Sequence, residues 1–158
     1  MRESKDKTME FITYSPEETM AVGGKLAGYL NKGDIILLNG TLGAGKTHFV
    51  KGLAKGLGIA DHVSSPTFTI ENIYRGTDYT LNHFDVYRVN DEAEILDLGF
   101  EEAIYSDAIS VIEWSDLIPG ILPDEFIRVD ITADGVDEGK RTIRIAWSKG
   151  QNFAKEGL

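Results

Sequence analysis

One segment constrains this chain more than any other. Asp34 to Asn39 is a short apolar run, and Gly40-Thr41-Leu42-Gly43-Ala44-Gly45-Lys46-Thr47 follows it at once. An apolar run bounded by turn residues reads as a strand buried on both faces, which belongs in a parallel sheet. The next eight residues fit G-x-x-x-x-G-K-[ST]. In that pattern the glycines let the backbone curl its N–H groups toward phosphate oxygens, and the dipole of the following helix adds to the pull. Lys46 would reach the outer phosphates, and the Thr47 hydroxyl would ligate Mg²⁺. His48, in the first turn of that helix, falls near the same phosphates. The chain is therefore expected to be α/β: a P-loop NTPase-like three-layer fold with a mixed, mainly parallel sheet and a C-terminal antiparallel hairpin.

A phosphate loop needs carboxylates opposite it. Mg²⁺ is usually held by an acid at the end of a strand. Asp85, in Leu81-Asn82-His83-Phe84-Asp85-Val86-Tyr87-Arg88, is the first candidate, against the plainer reading of a solvated strand end. Glu113 ends the strand-like run from Ala108. The carboxyl ends of parallel strands face the ligand crevice, so Glu113 is the second candidate for Mg²⁺ and could orient or deprotonate an attacking water; otherwise it is a capping or surface carboxylate. Trp114 reads first as a packed aromatic, with a supporting role as the alternative. His48, His62 and His83 have no metal-ligand spacing, and His83 reads as an ordinary strand residue. The chain has no cysteine, which excludes a thiolate site.

Further elements follow from pattern. Phe11, Ile12 and Tyr14 suggest a strand. Ser15-Pro16-Glu17-Glu18 starts a helix with a capping box, Val22, Leu26, Tyr29 and Leu30 give it an apolar face, and Gly33 is expected to end it. The phosphate-loop helix should run from Lys46 to about Leu57. Strands are expected at 69–74 and 79–86 around a Gly76-Thr77-Asp78 turn. An acidic helix is expected from Asp91 to Phe100, stopping near Gly99, then a short one at 101–105. Strands at 126–131 and 142–147 should form the last hairpin. The 158 residues make one expected P-loop ATPase domain, with flexible tails at 1–8 and 150–158. The longest apolar run is four residues and the N-terminus is polar, so no membrane span or signal peptide is expected, and the location is expected to be cytoplasmic.

Three kinds of P-loop protein compete. A GTPase lacks support: Asn31-Lys32-Gly33-Asp34 matches N-K-x-D but precedes the loop, and no Asp stands three residues before any glycine. A small-molecule kinase usually carries an arginine-rich lid, and no such segment is visible among six arginines. A nucleotide-driven switch is supported by Ser65-Pro66-Thr67-Phe68, which follows the loop helix where a γ-phosphate sensor commonly sits.

The combination of segments resembles the TsaE (YjeE) family, the small bacterial ATPases of tRNA threonylcarbamoyladenosine modification. The phosphate loop, Ser65 to Phe68, His83 to Arg88, and Ile112-Glu113-Trp114 followed by Leu122-Pro123 carry the match in the family's order. Thr41, His48 and Ser115 stand where the family usually has Asp, Thr and Pro. The resemblance spans about residues 9–147. It implies Mg²⁺-dependent ATP hydrolysis, weak alone and coupled to the TsaD and TsaB proteins, with Lys46, Thr47, Asp85 and Glu113 at the functional positions and a recurrent tryptophan at Trp114. The ATPase would act as a motor or switch that resets the assembly. A small-molecule kinase remains the alternative.

Charge bears on partners. Sixteen basic against 26 acidic residues leave −10. Such a field repels phosphate backbones, so direct tRNA binding by the isolated chain is not expected. Seven acids (Asp91, Glu92, Glu94, Asp97, Glu101, Glu102, Asp107) lie in 91–107 with no Lys or Arg among them. This is either a solvated helix face or a docking surface for a basic partner.

Overall fold

The computed structural model describes residues 7–41, 43–64, 66, 71–87 and 91–147. Seven strands form one sheet: β1 (Lys7–Thr13), β2 (Ile35–Asn39), β3 (Glu71–Arg75), β4 (Thr80–Asp85), β5 (Ile109–Glu113), β6 (Ile127–Ala133) and β7 (Arg141–Trp147). Their order is β1-β7-β6-β2-β5-β4-β3. The central four, β6-β2-β5-β4, are parallel, while β3 pairs antiparallel with β4 and β7 with both β6 and β1. The sheet is thus mixed, with its parallel part at the centre and the expected hairpin at 127–147.

Alternation along the central strands divides the core in two. Ile36 and Leu38 of β2 join one apolar cluster with Leu81, Ile109, Val111 and the helices α1 (Pro16–Ala27) and α2 (Lys46–Gly56). Ile35 and Leu37 face the opposite cluster, with Phe84, Ile112 and the short helices α3 (Glu92–Leu96) and α4 (Phe100–Ile104). Helices therefore cover both faces, giving three layers. Phe84 and Phe100 meet edge to face at 5.1 Å.

α1 starts as its sequence demands. Ser15 Oγ accepts the Glu18 N–H at 3.1 Å, and the Glu18 carboxylate reaches back to the Tyr14 N–H at 2.7 Å. It ends at Ala27 rather than at Gly33. The N–H groups of Tyr29 and Leu30 donate three residues back, to Leu26 and Ala27. This tighter turn still carries Leu30 into the core, so the apolar periodicity outruns the helix. The acidic helix is also shorter than expected. Asp91 caps it through the Glu94 N–H, and it stops at Leu96 because Leu98 and Gly99 turn the chain, with Gly99 at φ +83°. Lys7 and Thr8, expected in a frayed tail, pair with Trp147 and Ala146. The other tail, at 150–158, lies outside the described residues.

α1 and α2 pack backbone to backbone. A Cβ on Gly52 would lie 1.9 Å from the Met20 carbonyl oxygen, and one on Gly23 would lie 2.3 Å from that of Phe49. This contact seats α1 behind the start of α2, where Thr19 lies 3.8 Å from the Cβ position of Gly45.

Candidate functional site

The three adjacent strands β2, β5 and β4 end on one edge of the sheet. Register places Leu38 beside Glu113 and Glu113 beside Asp85. The loop after β2 therefore opens directly onto both candidate carboxylates, as expected of carboxyl ends of parallel strands. Period-two alternation puts His83, Asp85 and Glu113 on the same sheet face as Val111 and α2.

The loop has the backbone of an anion cradle. Gly43 and Gly45 adopt φ of +82° and +107°, left-handed conformations that L side chains resist. Gly45 caps α2 and, having no side chain, supplies no side-chain cap bond. The Ala44 N–H closes a turn on the Thr41 carbonyl at 3.0 Å. Thr41 is exposed, and Thr47 and His48 are partly exposed in the first turn of α2. Leu42 lies outside the described residues.

Lys46 is buried, with 7% exposure. Its Nζ lies 3.5 Å from Glu113 Oε1 and 4.3 Å from the centre of the Trp114 ring. Glu113 is itself buried, and its Oε2 shares a hydrogen bond with His83 Nε2. His83 thus belongs to the site and is not a plain strand residue. Its partner is 30 residues away in sequence, so only the β4–β5 register reveals it. Trp114 is in the left-handed region at φ +63°, an uncommon conformation for a large side chain and one that clusters at functional sites. Its ring also meets Tyr87 at 4.6 Å.

Asp85 ends β4, half-buried. Burial pushes its carboxyl above the ordinary range, and the neighbouring Glu113 adds to this. The Tyr87 N–H, donated to Asp85 Oδ1 at 3.0 Å, together with Lys46 and His83, pulls the other way. A divalent cation would relieve this crowding of acids, so Asp85 fits a metal-holding role.

Of the expected sensor loop, Ser65, Thr67 and Phe68 lie outside the described residues, and Pro66 is buried. Its entry is anchored. The Ser64 N–H donates to the Tyr74 hydroxyl at 3.2 Å, and that hydroxyl donates to the Ser64 carbonyl at 3.0 Å.

Sequence reasoning missed Arg141. From the start of β7 its Nε donates to the Ala44 carbonyl at 2.9 Å and its Nη2 to the Gly43 carbonyl at 3.2 Å. No local motif marks it; β7 reaches the loop only through the sheet order.

Comparison with known proteins agrees with the fold. The family model described as threonylcarbamoyl adenosine biosynthesis protein TsaE matches residues 13–143. The tRNA threonylcarbamoyladenosine biosynthesis protein TsaE of Bacillus subtilis is 40% identical over 150 residues, 95% of this chain and 94% of that protein. The Treponema pallidum protein of the same name is 37% identical over 138 residues, 87% of this chain and 100% of its own. The crystal structure of Bacillus subtilis YdiB superposes with a TM-score of 0.80 at 35% identity, covering 95% of this chain and 92% of that one.

Proposed function

This chain belongs to the TsaE family, and from that premise we propose that it is a Mg²⁺-dependent ATP hydrolase serving tRNA threonylcarbamoyladenosine biosynthesis as a motor or switch for TsaD and TsaB. One observation supports the hydrolase reading most: Lys46, Glu113 and Asp85 converge at the mouth of a glycine loop with a left-handed backbone.

In this reading the loop N–H groups and Lys46 hold the phosphates, and Thr47 and Asp85 hold Mg²⁺. The metal would supply charge neutralisation at the phosphate oxygens. Lys46 rests on Glu113 and over Trp114, so it must turn from the carboxylate toward the phosphates. That move frees Glu113 Oε1, while His83 keeps Oε2 oriented. Glu113 then accepts a proton from water as the water oxygen bonds to the γ-phosphorus and the bond to the bridging oxygen breaks, leaving ADP and phosphate.

Lys46→Ala should lower hydrolysis by about a hundredfold or more, and Glu113→Ala should slow turnover by a similar factor while keeping nucleotide binding. Phosphate release and calorimetric binding check both. Full activity in Lys46→Ala would sink the site assignment, and loss of binding in Glu113→Ala would make Glu113 structural. Transfer of phosphate to a small acceptor instead of water would favour a kinase.

A further inference from the structure

We propose that Arg141 is the positioning residue of the phosphate loop: its guanidinium holds two consecutive loop carbonyls outward and so turns the Gly45 N–H toward the side that would face phosphate. This rests on reading residues 40–47 as a phosphate loop.

The geometry is specific. Nε donates to the Ala44 carbonyl at 2.9 Å and Nη2 to the Gly43 carbonyl at 3.2 Å. A trans peptide sets its C=O and N–H in opposite directions. Fixing the Ala44 carbonyl on Arg141 therefore turns the Gly45 N–H to the other, inner side. A loop with three glycines in eight residues has little rigidity of its own and must be fastened from outside. The planar fork of arginine can fasten two adjacent carbonyls at once, which a lysine ammonium on a flexible stem does poorly.

The same side chain is anchored at its base. Nη1 donates to the Glu138 carbonyl at 2.6 Å and to the Lys140 carbonyl at 3.0 Å, both in the β6–β7 turn. All four acceptors are neutral carbonyls, and among the described residues no carboxylate pairs with Arg141. The hydrogen bonds of the guanidinium thus go to backbone carbonyls, two of the phosphate loop and two of the turn. The competing account is that Arg141 only stitches the hairpin turn.

Amide hydrogen exchange of the nucleotide-free full chain, and calorimetric titration with Mg-ATP, separate the two accounts in wild type, Arg141→Ala and Arg141→Lys. Arg141→Ala should speed exchange across residues 43–46 and weaken ATP binding, each by about tenfold or more, the scale of losing hydrogen bonds to a charged group. Arg141→Lys should keep the charge yet still weaken binding several-fold, and it carries the test if the alanine variant does not fold. Faster exchange confined to residues 134–142, with affinity within twofold of wild type, would overturn the proposal. A wild-type chain that bound no ATP would overturn the nucleotide reading and the phosphate half of this one. The exchange rates would still decide whether Arg141 holds the loop.

Discussion

Asp85 carries a conflict between stability and use. Its carboxyl is raised first by burial and then by Glu113. A carboxyl with a folded pKa above its unfolded one contributes its full stability below the unfolded pKa and loses it as pH rises through the folded value. At neutral pH the ionised group therefore weighs against the nucleotide-free fold. Asp85→Asn should raise the thermal unfolding midpoint at pH 7 while cutting Mg²⁺-dependent turnover by about a hundredfold, a trade common at active sites. A lowered midpoint would contradict this placement. Mg²⁺ needs the ionised form, so its apparent affinity should fall as pH drops through the raised pKa. At a pH low enough to protonate Asp85, metal binding should release a proton, seen by calorimetry in buffers of different ionisation enthalpy and lost in Asp85→Asn. Asp85 and Glu113 were legible in the sequence because each stands at the end of a strand-like segment. His83 and Arg141 were not, since their partners lie 30 and 97 residues away and meet them only through strand order.

Between elements, the α1–α2 contact has the least room. Gly52→Ala would drive a methyl group into the Met20 backbone and should cost about 3 kcal/mol or more, at the upper end of overpacking effects. Gly135, with nothing within 4 Å of its Cβ position and no positive φ, is the control. Gly135→Ala should stay within about 0.5 kcal/mol of wild type by urea unfolding. An equal loss in both would remove close packing as the cause. The strands, the hairpins and the phosphate-loop helix were readable because their signals are local: period-two alternation, turn residues, a capping box. Helix ends were less so. Leu30 keeps the apolar spacing of α1 after the helix has tightened into a turn, and Glu92, which looked like a free acid, is tied by its carboxylate to the Gly120 N–H at 2.7 Å. The pairing of β1 with β7 has no local signature at all.

At the scale of the whole molecule, one sheet edge gathers the loop, both carboxylates and Arg141, while the opposite face carries α3 and α4 with their acids. Asp91, Glu94, Asp97, Glu101, Glu102 and Asp107 are exposed there. With a net charge of −10, the isolated chain should not bind tRNA tightly at about 0.15 M salt, as a filter or fluorescence assay would read. Submicromolar binding would contradict the electrostatic account. No described helix is long and apolar enough to cross a membrane. In the proposed function, Lys46, Asp85 and Glu113 together hydrolyse ATP for a larger assembly. Steady-state phosphate release from Mg-ATP, by the wild-type chain and by Lys46→Ala, with and without TsaD and TsaB, tests it most directly. The expected result is slow release by the wild type alone, a clear rise when both partners are added, and none above background in Lys46→Ala under either condition. Equal release with and without the partners, or equal release by the two chains, would contradict it.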